Sequence, residues 1–329
     1  MVNIATVGTS EITRLFIREG QKLESFNLCA VYSRTESKAS EFAEEFGAQK
    51  YYTSLKLMSE DDSIDAVYIA SPNSLHASQA KLFLSEGKHV LCEKPVCSNS
   101  GELHEVLECA EENEVLFMEA FKTFSAPNYQ KLKQLLPKVG QIRSVYFDFA
   151  RYSSRYDAHK RGEDVNTFKA AFSNGAVMDM GVYSIYPILD LFGFPKDIKA
   201  MGTVIPDGVD GEGMVLMKYD GFTAAAHFSK TATSHAISRI EGEDATLLID
   251  SIYTPMQVRV VSRNGNIKTY DYDKKGNGMR FEIEEFLRCV ENGILQSQVH
   301  SHRLSRYGMR VLDEARRQMG VVYPADDRI

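Results

Sequence analysis

Little in this chain points to nucleic acid, to a membrane or to a disulfide-held scaffold. Its five cysteines, Cys29, Cys92, Cys97, Cys109 and Cys289, are odd in number and form no CxxC. Three of them fall in segments that read as buried strand or helix, which fits reduced thiols in a cytoplasmic protein better than a disulfide framework. Basic blocks are missing too: Arg316-Arg317 and Lys274-Lys275 are only pairs, and the formal net charge is -7. A nucleic-acid-binding face needs a basic stripe that this sequence does not supply. No apolar run approaches the roughly 20 residues of a membrane span. The N-terminus enters a strand pattern directly at Val2, without the charged and apolar regions of a signal peptide. No His/Cys/Asp cluster has metal-ligand spacing and no nucleophile elbow occurs, so no metal is expected. Neither internal repeats nor low-complexity segments are found. What is present is ordinary for a globular protein, 43% hydrophobic and 25% charged over 329 residues, a length that suits two domains.

The first third alternates strand and helix. Val2 to Val7 reads as a short apolar strand, and Gly8-Thr9-Ser10-Glu11-Ile12 turns into a helix with Ile12, Leu15 and Phe16 on one face. Strand, glycine turn and helix form the context of a dinucleotide-binding βαβ unit. Gly8 supplies the tight turn, whereas Ser10 and Thr13 stand where the second and third fingerprint glycines would be. Both are small enough for a pyrophosphate to approach the helix N-terminus, although a generic βα turn also fits. The second strand, residues 27–32, ends at Ser33-Arg34-Thr35 with Lys38 nearby. It lacks the acidic residue that would bond a ribose 2′-hydroxyl. A hydroxyl with cationic side chains suits a 2′-phosphate, so NADP(H) is favoured and NAD(H) remains possible. Further strands are expected at 51–52, 66–70, 89–92 and 115–119, with helices at 37–46, 75–86 and 101–112. Six strands alternating with helices imply an α/β, doubly wound parallel sheet.

Lys94 lies between Glu93 and Pro95 at the carboxyl end of the 89–92 strand. Ligands bind at that edge of an open α/β sheet, and Pro95 restrains the Lys94 backbone. A surface lysine with a neighbouring salt-bridge partner reads equally well from these residues alone. After Phe121 the pattern changes. Residues 142–150 alternate with period two, and 151–174 form a long loop rich in Arg, Tyr, Ser and Asp. Residues 175–186 read as a buried helix placing Asp179 and Tyr183 four apart on one face, with Pro187 expected to kink it. Strands are expected at 198–205, 213–219, 222–229, 236–242, 246–250, 257–262 and 267–272, with Asn264-Gly265 as a hairpin turn. Helices are expected at 280–290 and 305–319. This is an α+β domain on a large, mostly antiparallel open sheet whose second face needs covering. The expected division is 1–121 and 122–329.

The turn at Gly8, Glu93-Lys94-Pro95 after the fifth strand, Asp179-x-Gly181-x-Tyr183 after the domain change, and Ser71-Pro72-Asn73 with His76 form one ordered set. In that order the set resembles the Gfo/Idh/MocA family, and Tyr183 resembles the glucose–fructose oxidoreductase and dimeric dihydrodiol dehydrogenase branch. The resemblance covers essentially the whole chain. It implies a Rossmann domain holding a nicotinamide cofactor and a C-terminal domain whose open sheet makes the subunit contact, so a homodimer or homotetramer is expected. It also implies an oxidoreductase acting on a sugar, polyol or diol. Lys94 and Tyr183 would carry proton transfer, with Asp179 orienting substrate or Tyr183. The cofactor would rest on Gly8, Thr9, Ser10, Glu11, Ile12, Ser33, Arg34, Lys38, Ser71, Pro72, Asn73, His76, Glu93 and Lys94.

Lys122, Arg151, Tyr156 and Asn166 are candidates for substrate hydroxyls. Lys122-Thr123-Phe124 departs from the aromatic-Arg pattern frequent in the family. The chemistry fits: an ammonium beside a tyrosine favours tyrosinate and makes its proton transferable nearer neutrality than the ordinary value of about 10. Two alternatives use the same fold. One is a cofactor-binding sensor or regulator without chemistry, and the other is an enzyme that uses its cofactor transiently during sugar elimination or hydrolysis.

Overall fold

The computed structural model describes residues 1–328 and, apart from positions 276, 277 and 328, their side chains. Two compact units result, one of Met1–Ser125 with Gly278–Ser305, the other of Ala126–Asn277 with Arg306–Ile329. The first unit therefore takes a second segment of chain that the sequence reading assigned to the second domain.

In the first unit the elements run β1 (Val2–Val7), α1 (Glu11–Gly20), β2 (Phe26–Tyr32), α2 (Glu36–Phe46), β3 (Lys50–Tyr52), α3 (Leu55–Ser59), β4 (Ala66–Ile69), α4 (His76–Leu84), β5 (His89–Glu93), α5 (Ser100–Glu112), β6 (Phe117–Ala120) and α6 (Lys122–Ser125). The strands form one six-stranded sheet in the order β3-β2-β1-β4-β5-β6. Every pairing in it is parallel. The order reverses between β1 and β4, which makes the crevice at their carboxyl ends the ligand-binding switch point. Continuous apolar strands are what a sheet covered on both faces requires: Ile4, Val31, Tyr68 and Leu91 are all fully buried. Gly47 stops α2 in the left-handed conformation. Phe16 of α1 stacks on Tyr68 of β4 with ring centroids 3.7 Å apart, which fixes the first helix against the strand beside the switch point.

The second unit opens with α7 (Pro127–Lys133) and β7 (Ile142–Ala150), continues through α8 (Tyr156–Lys160) and α9 (Val182–Phe192), and builds β8 (Asp197–Val204), β9 (Asp210–Lys218), β10 (Thr223–Ser229), β11 (Ser238–Gly242), β12 (Ala245–Ile249), β13 (Gln257–Ser262) and β14 (Ile267–Asp271). These strands form an eight-stranded sheet in the order β14-β13-β12-β11-β7-β10-β9-β8. All its pairings are antiparallel except β7 with β10. Period-two alternation in β7 turns Val145, Phe147 and Phe149 into the core and leaves Tyr146 and Asp148 half-buried on the other face. The same alternation buries Ala224, Ala226 and Phe228 of β10 and leaves His227 on the outer face, where its Nδ1 meets Asp148 at 2.5 Å. The chain ends with α10 (Arg280–Glu291), within the returning segment of the first unit, and α11 (His302–Met319).

Two local expectations are refined. The 151–174 loop carries α8 and two single 3-10 turns, at Asn166–Phe168 and Ala170–Phe172. The helix with Asp179 opens in a wide π turn, Val177–Gly181, and α9 then runs through Pro187 to Phe192. The irregular turn thus precedes the proline, and π turns of this kind occur frequently at functional sites.

Candidate active site

At the carboxyl edge of β1 the backbone is shaped for close approach. Gly8 has φ +115°, and a Cβ there would sit 2.7 Å from the Ala70 carbonyl oxygen, so any side chain would collide with the end of β4. Ser10 is the N-cap of α1 but its side chain makes no capping bond. Its Oγ instead lies 3.3 Å from the Oγ1 of Thr13. The first intrahelical acceptor contact is Arg14 N to Ser10 O, so the preceding amides point out of the helix end, the usual cradle for an anionic group. These residues fit a pyrophosphate-bearing dinucleotide. Beside them, Thr9, Arg14, Lys38, Glu41, Phe42 and Glu45 line a groove of about 300 Å³. Arg14 in that groove is already paired with Glu45 and lies over the Phe42 ring at 4.9 Å. No ion pair among the described residues involves Arg34 or Lys38.

The end of β5 is held by a buried frame. Lys94 and Pro95 are joined by a cis peptide. The Pro95 carbonyl lies 2.9 Å from His76 Nδ1, and the opposite ring nitrogen lies 2.9 Å from the Ser71 carbonyl. His76 is 1% exposed, and burial holds its pKa below the ordinary histidine value. Both ring nitrogens face carbonyl acceptors, and the ring donates to the Pro95 or the Ser71 carbonyl from whichever nitrogen carries its proton, which sets it between the end of β4 and the Lys94-Pro95 turn. Ser71 Oγ donates to Gln79 Oε1 at 2.7 Å. Glu93 is turned inward: Tyr68 donates to its Oε1 at 2.5 Å and the Lys94 amide reaches its Oε2 at 3.3 Å. Burial raises the Glu93 pKa, opposed by Tyr68, Lys94 and Lys122. Glu282 of α10 is 1% exposed, and its pKa is raised by burial and by Glu93. Two carboxyl groups so placed disfavour each other's ionisation, and the Lys122 ammonium offsets part of that.

In the second unit, the π turn and α9 direct Asp179 and Tyr183 to different neighbours. Asp179 Oδ2 is 2.9 Å from the Nζ of Lys230. The Tyr183 ring packs against Phe149 at 4.9 Å and Tyr253 at 4.5 Å between centroids. Arg151 lies over the Phe149 ring at 5.4 Å. Tyr156 packs with Phe168 at 5.5 Å, and the Asn166 carbonyl accepts from Asn174 Nδ2 at 2.9 Å. The Val177 amide donates to Asp210 Oδ2 at 2.6 Å, which anchors the start of the π turn. Gly175 makes room for this: a Cβ on it would lie 2.2 Å from Asp210 Oδ1.

The candidate residues thus fall in two sets. Lys94, Glu93, His76, Lys122 and the Gly8–Lys38 edge belong to the first unit, and Asp179, Tyr183, Arg151, Tyr156 and Asn166 to the second. Sequence reasoning missed Lys230, Asp210, Tyr68, Tyr253 and Glu282. The signal for Lys230 was slight: a lysine directly after the apolar strand β10 reads as solvated until its burial is seen. No group of His, Cys, Asp or Glu among the described residues could hold a metal ion, and no helix there is long and apolar enough to cross a membrane.

A doubly wound parallel sheet with a glycine turn and an open helix end at its switch point, and a lysine at the carboxyl end of the neighbouring β5, defines a dinucleotide-binding fold. Residues 2–121 match the family model described as the oxidoreductase family with NAD-binding Rossmann fold, and residues 129–248 match the GFO/IDH/MocA C-terminal domain. The chain belongs to the GFO/IDH/MocA family and is an NAD(P)-dependent oxidoreductase. It is 44% identical over 326 residues, 99% of each chain, to scyllo-inositol 2-dehydrogenase (NADP(+)) IolU of Bacillus subtilis (strain 168). It is 31% identical over 318 residues, 93% of this chain and 92% of the other, to the trans-1,2-dihydrobenzene-1,2-diol dehydrogenase of Danio rerio. KijD10, a 3-ketoreductase from Actinomadura kijaniata solved with NADP and TDP-benzene, superposes with a TM-score of 0.86 at 23% identity over 97% of this chain and 98% of that one. That last likeness shows the fold.

Proposed function

We propose that this protein transfers hydride between NADP(H) and the CH–OH carbon of a sugar, polyol or diol, with Lys94 and Tyr183 carrying the proton. The observation that carries the reading is the frame around Lys94. Two ties flank this lysine at the ligand edge of the sheet: His76 holds the Pro95 carbonyl, and Tyr68 holds the Glu93 carboxyl group to which the Lys94 amide donates. A lysine needed only for solubility has no use for such anchoring.

A bound nicotinamide supplies the acceptor or donor of hydride. The chain's own groups do the rest. Lys94 stabilises developing negative charge on the substrate oxygen, and Tyr183 accepts or returns its proton. Asp179 orients a substrate hydroxyl. Arg34 and Lys38 would face the ribose 2′-phosphate, and the three residues directly after β2, Ser33-Arg34-Thr35, include no acidic side chain to favour a 2′-hydroxyl. The named activities of the 44% and 31% identical relatives support an alcohol on a cyclic polyol or diol.

The half-buried outer face of the eight-stranded sheet, carrying Tyr146, Asp148 and His227, is the proposed subunit contact of a homodimer or homotetramer. The working compartment is cytoplasmic, in keeping with five free cysteines, and nucleic acid is not a partner.

The test is a screen of sugars, polyols and diols with both cofactors, followed by the absorbance of reduced nicotinamide, on the wild type and on the double variant Arg34→Ala/Lys38→Ala. Turnover with NADP in the wild type, and a KM for NADP raised roughly tenfold or more against an unchanged KM for NAD in the variant, is expected from losing charge-assisted phosphate contacts. A parallel change for both cofactors would contradict it.

A further inference from the structure

We propose that Lys230 is the positioning residue of the substrate site, fixing the Asp179 carboxylate in the direction from which it binds a hydroxyl of a polyhydroxylated substrate. The inference rests on the reading of Asp179 given above.

Lys230 follows the last residue of β10 and is 1% exposed. Lysine is almost never fully buried unless paired, and a buried ammonium needs both a counter-charge and hydrogen-bond acceptors. Here the Nζ lies 2.9 Å from Asp179 Oδ2, donates to the Thr167 carbonyl at 3.3 Å and sits 5.0 Å from the centre of the Phe168 ring. The backbone around it is equally fixed: the Lys230 amide donates to the Gly211 carbonyl at 2.9 Å, and its own carbonyl accepts from the Ser153 amide at 2.8 Å. One side chain therefore ties the strand end to the turn carrying Asn166 and to the π turn carrying Asp179.

The choice of partner separates positioning from simple support of the fold. Asp210 is also close enough for the Lys230 charge to act on it, is 0% exposed, and has an Oδ1 with no hydrogen-bond partner. A lysine selected for stability would be spent on that buried oxygen. Its ammonium instead holds Asp179, whose side chain is 33% exposed. A buried cation behind a partly open carboxylate fixes the direction of that carboxylate, which suits a group that must accept a hydrogen bond from an incoming hydroxyl.

The experiment compares Lys230→Gln, Lys230→Arg, Asp179→Asn and the two double variants, using NADP and the best polyol of the substrate screen, beginning with scyllo-inositol. Lys230→Gln is expected to raise the polyol KM roughly tenfold while leaving the KM for NADP unchanged, the scale of one lost buried polar interaction. Lys230→Arg, which keeps the charge but displaces it, gives a rise of about a few-fold on the same scale. In the Asp179→Asn background neither substitution should raise the polyol KM further. The Lys230→Arg pair of variants carries the same test if Lys230→Gln does not fold. Effects that multiply with Asp179→Asn, or a loss of thermal stability with an unchanged polyol KM, would overturn the positioning role while leaving Asp179 in the site. A wild-type polyol KM in Asp179→Asn alone would overturn both readings together.

Discussion

Asp210 offers a quantitative test of the packing beneath the π turn. Burial raises its pKa from 3.8 to about 6, against the lowering effect of the Val177 amide and of Lys230. A shift of about two units corresponds to roughly 3 kcal/mol at about 1.4 kcal/mol per unit. The sign follows from proton counting. Between pH 4 and 6 the folded chain holds a proton on Asp210 that the unfolded chain has lost, so stability from this group falls as pH rises. It is fully present below the unfolded value and gone above the folded one. Asp210→Asn removes the titration while keeping an oxygen that can accept from Val177 N. Urea unfolding of wild type and variant at a series of pH values gives the difference directly. The wild type should lose about 3 kcal/mol relative to Asp210→Asn between pH 3 and pH 7, with plateaus on either side. A difference that stays flat, or one that grows in the wild type's favour as pH rises, would refute the reasoning.

Three other outcomes follow from the geometry. Gly8→Ala places a Cβ against the Ala70 carbonyl at positive φ. It should destabilise the fold by more than about 1 kcal/mol and weaken dinucleotide binding, read by thermal shift with and without NADP. Tyr68→Phe removes the donor to the buried Glu93 carboxylate and should cost about 1–3 kcal/mol in urea unfolding. Phe16→Ala removes the ring stacked on Tyr68 and should cost about 3–5 kcal/mol, the largest stability loss of the set, measured in the same way.

The strands were legible because their patterns have one physical solution. Ile142–Ala150 alternates apolar and polar residues, and only a half-covered sheet position accommodates that; the strand spans those residues as expected. The apolar run before Lys94 likewise became β5 between two parallel neighbours. The short helix Leu55–Ser59 escaped notice because a single turn, capped by Ser54, carries no periodicity. In residues 175–186 the apolar side chains fill nearly every side, and such a segment does not distinguish a π turn from an α turn. The return of Gly278–Ser305 to the first unit was equally hidden: the amphipathic pattern of α10 announces a buried face but not which sheet buries it. Lys94, Asp179 and Tyr183 stood out by position and spacing, and the roles expected of them came from the family resemblance. Lys230, Asp210 and Glu282 did not stand out, because their roles arise from partners such as Asp179, Val177 and Glu93, distant in sequence, and each alone reads as a solvated charge.

The most direct test of the central claim is steady-state turnover with NADP and a polyol substrate in Lys94→Ala, Tyr183→Phe and the double variant, each first shown to bind NADP. Each single variant should lose on the order of 10²–10⁴ in kcat, and the double variant should be little worse than either, as groups acting together on one proton require. Wild-type rates in both single variants would contradict the assignment of proton transfer to these two residues.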